Sequence, residues 1–359
     1  MRAALTLLCL LLALPVLAVL AAWAGLDAQA LDTLRHQAGT VLPGYVWQST
    51  TLAVGVAAGV TLLGTVTAAA VTLFDFPGRR SFEWALLLPL AMPAYVLAYA
   101  WTDALQFSGP LQSGLRQALG VQGRLWPDPR SLGGAVILFV LVLYPYVYLL
   151  TRTALGERAA HLLEAARLLG AGLGRRIVAV ALPLARPAIT AGVALAVMET
   201  LADYGVGAYF GLTTFSTGIF RAWLVLDDRI AAAQLASMLL AVVALLLWVE
   251  RRAQRRMRYA PTRRAAGGIE AGPQRLRGGL ALAAWLLCAL PVLLGFVLPV
   301  GWLLWMLAQE VRHAEFGLPL ARFAQWAWAS FRLAASAALL ATARALLLGF
   351  ALWPAGARS

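Results

Sequence analysis

The sequence predicts an all-α polytopic bundle of about eight membrane-spanning helices, and three observations lead there. Hydrophobic residues fill 62% of the 359 positions, charged residues only 13%, and the mean hydropathy is +0.78. A soluble domain of this length cannot bury that much apolar surface, so lipid must be its solvent. The apolar residues also gather into eight runs, at 4–25, 50–74, 82–101, 132–151, 188–204, 232–249, 280–308 and 327–350. Each is near the roughly 20 residues that cross a bilayer. Finally, all 29 basic residues are Arg, and with the N-terminus inside, 19 fall in inner segments against 8 outside and 2 within the last run. That asymmetry predicts a multi-pass inner-membrane protein with both termini cytoplasmic.

Taken in order, the first run follows Arg2 and is long for a cleaved signal peptide, so it reads as a retained span. Pro89, Pro93 and Pro145 interrupt the third and fourth runs and predict kinks there. Tyr95, Tyr99, Tyr144, Tyr146 and Tyr148 read as an interfacial aromatic belt rather than as metal ligands. Cys9 and Cys288 lie inside runs and read as packing residues. The outer segment from Gly205 to Asp228 carries Phe210, Phe215, Phe220 and Trp223, too apolar for a freely solvated loop.

Residues 13–17, Ala-Leu-Pro-Val-Leu, recur at 289–293, and Trp47, Ser49, Leu52 and Ala53 recur as Trp328, Ser330, Leu333 and Ala334. The echo predicts a six-span unit over 1–250, a basic cytoplasmic linker over 251–278, and an incomplete second unit of two spans over 279–359. The net charge of +13 is spread through short loops beside apolar runs, which fits topology and anionic headgroups of the bilayer rather than nucleic acid.

The longest informative loop, 153–187, joins the fourth and fifth runs. Leu155, Ala159, Leu162, Ala166 and Leu169 recur at helical spacing on one face, and Gly170, Gly172 and Gly174 end the helix. Pro183 and Pro187 then stand at the head of the fifth run. His161 has no second ligand at metal spacing and reads as a surface residue.

Glu164-Ala165-Ala166, three residues, Gly170, nine residues and Val180-Ala181-Leu182-Pro183 resemble the signature loop of ABC-importer permeases, with Val180 where Ile is commoner. The resemblance implies a type I permease fold in which this loop is a coupling helix that docks on an ATPase, with Gly170 permitting the turn and Glu164 as polar anchor. Asp75-Phe76-Pro77-Gly78-Arg79-Arg80, the run Leu88 to Tyr99, Leu143 to Tyr148 and Met198 to Gly205 are similar to iron(III) importer permeases. The implied partners are a cytoplasmic ABC ATPase dimer, a periplasmic iron-binding protein, and a second permease half or copy, because such permeases carry two coupling loops and this chain has one. The chain itself is expected to hold no cofactor and to catalyse no reaction. It has no Lys and so no P-loop, which leaves ATP to the partner subunit.

Glu199 and Asp203 stand four apart near the outer end of the fifth run, with Tyr204 beside them. A helix presents the two carboxylates on one side, where they either form part of a substrate path or hydrogen-bond neighbouring elements. Paired carboxylates are hard oxygen donors suited to ferric iron. A cargo of thiamine, a polyamine or an oxyanion is the alternative, and a nonfunctional truncated remnant is a further one. Arg344, inside the eighth run, fits that last reading.

Overall fold

The structure is a computed structural model, and it describes residues 2–23, 35–156, 165–166, 168–255, 273–313 and 319–356. The described residues are all-α apart from one two-residue parallel pairing of Phe74–Asp75 with Gln274–Arg275. The helices in chain order are α1 (Arg2–Ala21), α2 (Leu42–Leu73), α3 (Arg79–Ala85), α4 (Ala94–Leu105), α5 (Pro110–Leu119) and α6 (Leu132–Ala154). They continue with α7 (Leu182–Ala202), α8 (Gly205–Phe210), α9 (Phe215–Phe220), α10 (Arg229–Arg255), α11 (Gly279–Val292), α12 (Leu298–His313) and α13 (Leu320–Gly356). Among the described residues, six stretches are long and apolar enough to span a bilayer alone, a seventh arises if one bent pair is counted, and Cys9–Ala21 is a shorter apolar helix.

The chain divides into two units, Leu26–Leu303 and the pair Met1–Gly25 with Leu304–Ser359. At the centre of the larger unit, α2, α6 and α7 pack together. Their close approach is written in glycines. A Cβ added at Gly64 of α2 would lie 2.7 Å from Val147 Cβ, and one at Gly192 of α7 would lie 2.7 Å from Val147 Cα. Both helices therefore close on the same turn of α6, the small-residue packing that membrane helices use in place of a hydrophobic driving force. In the smaller unit, α13 is exposed along its apolar window, with Trp328 stacked on Phe331 at 5.8 Å.

Two expectations need correcting and one is sharpened. The run at 82–101 bends where its prolines predict, but as a sharp break rather than a kink within one span: Arg79–Ala91 and Ala94–Leu119 meet at 89°. Pro93 holds extended backbone at the break, and a proline cannot continue the ladder of backbone hydrogen bonds. Tyr144 and Tyr148 are not belt residues. Both are fully buried in α6, and their hydroxyls donate to Leu86 O at 2.9 Å and to Glu83 O at 3.1 Å. Of the cysteines, Cys288 packs in the core whereas Cys9 is exposed.

Candidate functional site

The loop between α6 and α7 is anchored at both roots. Leu155, leaving α6, is buried with Ala181 and Ala185, which lead into α7, and Ala69 of α2 packs against them. Residues 157–164, including Glu164 and His161, lie outside the described residues. Beyond them Ala165 and Ala166 are helical. Leu169 N donates to Ala165 O at 3.1 Å, and Ala171 N donates to Ala166 O at 2.9 Å. The second bond closes over Gly170, whose φ of +79° is left-handed. This is a Schellman ending, and only glycine takes that backbone without strain. Leu168 and Leu169 at the helix end are 81% and 87% exposed. The chain then makes one helical turn at Leu173–Arg176 and a π-helical turn at Ile177–Ala181. Leu182 and Pro183 open α7, which continues from that π turn without a break in the helix.

At the opposite end of α7 the two carboxylates part ways. Asp203 leaves the helix in extended conformation, and its Oδ1 accepts from Val206 N at 2.8 Å, capping α8. Glu199 is exposed, and its carboxylate makes no hydrogen bond or ion pair among the described residues; its electrostatic neighbours are Tyr146 and Asp203. Tyr204 is 40% exposed and lies 4.2 Å, ring to ring, from Phe220. A web of neutral bonds holds this end together. Ser49 Oγ accepts from Phe215 N at 3.0 Å, Gln48 Oε1 accepts from Thr213 N at 2.8 Å, and Ser216 Oγ donates to Leu201 O. The apolar segment 205–228 is thus folded onto α2 and α7 as two short helices and a π turn.

Two further carboxylates escaped the sequence reading. Asp103 of α4 accepts from Trp302 Nε1 at 3.0 Å, and Glu83 of α3 receives the guanidinium of Arg152 at 2.6 Å. The available signal was an acidic residue inside or at the edge of an apolar run, with Arg79 four positions before Glu83.

Residues 60–259, more than half of the chain, match the family described as "Binding-protein-dependent transport system inner membrane component". The chain belongs to this family. It is therefore a multi-pass inner-membrane component of the binding-protein-dependent transport family. Among relatives, it is 26% identical over 199 residues to the Fe(3+)-transport system permease protein FbpB 2 of Haemophilus influenzae, covering 55% of this chain and 35% of that protein. It is 30% identical over 135 residues to the molybdenum transport system permease protein ModB of Escherichia coli, covering 38% of this chain and 57% of that one. The permease thus spans about a third of the first relative's length and little more than half of the second's. Among solved structures, the bacterial alginate ABC transporter in complex with an alginate-bound periplasmic protein matches at a TM-score of 0.56. That match has 14% identity and covers 71% of this chain and 94% of that one, so it speaks for the fold alone.

Proposed function

We propose that this permease is the membrane subunit of an ATP-driven importer of ferric iron, worked by a cytoplasmic ABC ATPase dimer that docks on the loop ending at Gly170. The observation that carries the reading is the pair Leu168 and Leu169, 81% and 87% exposed on a helix end whose two roots are buried. Apolar side chains of that size, placed on an anchored loop outside the bundle, suit a partner groove better than water. ATP is held and hydrolysed in that partner. A periplasmic binding protein delivers the cargo at the opposite end, and a second permease half or copy supplies the second coupling loop. Glu164 is the polar anchor of the docking helix, preceding Ala165 and Ala166.

Ferric iron is favoured over an oxyanion because Glu199, near the opposite end of α7, is an exposed carboxylate with no hydrogen bond or ion pair among the described residues, and it attracts a cation and repels molybdate or sulfate. Asp203 and Tyr204 frame that mouth. The test is uptake by proteoliposomes carrying the permease with its ATPase, its partner half and a binding protein. Radiolabelled ferric iron, molybdate, sulfate, 2-aminoethylphosphonate and glycerol 3-phosphate are offered in turn. ATP-dependent accumulation of ferric iron is the expected result. Accumulation of an oxyanion instead would overturn the cargo while leaving the coupling reading in place.

A further inference from the structure

Resting on that coupling reading, we infer that Glu83 is a positioning residue that ties the root of the coupling loop to the broken span α3–α4. Its carboxylate is divided between two guanidiniums. Arg152, in the last turn of α6, reaches Oε2 at 2.6 Å, and Arg79, one turn before Glu83, lies 3.4 Å from Oε1. Arg79 Nε also donates to Val71 O of α2 at 2.7 Å. The backbone joins in, because Glu83 O and Leu86 O, at the end of α3 where intrahelical donors run out, accept from Tyr148 and Tyr144 of α6. One short helix is thus bonded to the preceding span and to the helix that runs three residues later into buried Leu155.

The mechanical consequence follows from what each bonded element continues into. α6 continues into the docking loop. α3 continues through Pro89 and Pro93 into the 89° bend, after which α4 lies beside α8, with Tyr99 and Tyr209 ring centroids 6.4 Å apart. A displacement at the loop root therefore reaches α4, and with it the end of the bundle where Glu199 is bare, through Glu83. The half-buried setting suits this task. The side chains of Arg79, Arg152 and Glu83 are 24%, 31% and 19% exposed, so the bridge is neither screened like a surface pair nor sealed in the core.

The test uses the assembled transporter and the probe that the unmodified complex moves, from the five named above. Solute moved per ATP hydrolysed is measured for Glu83→Gln, Arg152→Gln and the double variant, with Arg80→Gln, an exposed neighbouring charge, as control. Each single variant is expected to lower the ratio on the order of fivefold or more, the scale of an intersite coupling. The double variant should be no worse than either single one. A purely structural bridge would lower abundance and melting temperature while leaving the ratio at its unmodified value, and that outcome overturns the proposal. Additive losses in the double variant overturn it too, since they place the two residues in separate roles. Should Glu83→Gln fail to insert, Glu83→Asp keeps the charge and shortens the reach; a ratio equal to the unmodified protein's at equal abundance would again count against the bridge. An unmodified complex that moves none of the probes and shows no stimulated ATPase instead removes the coupling reading itself.

Discussion

The two ends of α7 are built on opposite chemistry. At the loop end the framework is held by charge, with Glu83 between Arg79 and Arg152, and what is left bare is apolar: Leu168 and Leu169. At the other end the framework is held by bonds from Ser49, Gln48 and Thr214 together with the Asp203 cap, and the exposed groups include a carboxylate without a bond among the described residues, Glu199, besides apolar Leu224, Val225 and Leu226. A bare leucine pair is completed by another protein, whereas a bare carboxylate is completed by water or a cation. On the proposed function, the contrast distinguishes a docking end from a passage end within one helix.

The sharpest way to break the contrast is at Gly170. No atom of the described residues lies within 4 Å of where its Cβ would be, so a large side chain there does not disturb the bundle they form. The left-handed φ of +79° still costs an L-residue roughly 1–2 kcal/mol, and a Trp projects into the docking face. Gly170→Trp is expected to abolish stimulated ATPase in reconstituted complexes while membrane insertion stays intact. Stimulation at the unmodified level would remove the loop from the coupling path.

The next effect lies at the other end, where Glu199 and Asp203 are expected to separate. Glu199→Gln removes a charge that no bond in the frame uses, so cation uptake should fall by about tenfold, equivalent to about 1.4 kcal/mol, at unchanged abundance. Asp203→Asn keeps a side-chain oxygen for Val206 N, and Asn caps about as well as Asp, so abundance should hold. Asp203→Ala should instead lower stability by about 1 kcal/mol. Loss of abundance in Glu199→Gln, read on membrane immunoblots beside uptake, would mean that Glu199 is structural and that the end is not a passage.

What the sequence discloses divides along the same physical line. Apolar runs and glycine stops made α2, α6 and α7 and the turn at Gly170 legible from composition and backbone chemistry. In the run at 82–101 the prolines marked where the chain bends but not how far, because apolarity is the same in a kinked span and in one folded back by 89°. Tyr144 and Tyr148 were misplaced in the belt for a related reason. A tyrosine in a span looks alike whether its hydroxyl reaches headgroups or a neighbouring helix, and only the fall of the Glu83 and Leu86 carbonyls beside α6 decides it. Likewise, the spacing of four put Glu199 and Asp203 on one side of a helix, but the chain leaves the helix at residue 203. One carboxylate is spent on a cap that no spacing rule foretells.

The smallest expected effect tests whether the neutral web at the passage end is frame alone. Thr214 caps α9 in a reciprocal box: Thr214 N donates to Thr217 Oγ1 at 2.9 Å, and Thr214 Oγ1 accepts from Thr217 N at 3.4 Å. The residue is 6% exposed, so no water replaces the lost oxygen in Thr214→Ala. The expected cost is about 1 kcal/mol, seen as a fall of about 2 °C in a detergent melt, with stimulated ATPase unchanged because the loop end shares none of these bonds. Thr214→Ser keeps the oxygen and should restore the melt. A Thr214→Ala variant that melts normally yet loses ATPase stimulation would join the two ends into one machine part and end the distinction between them.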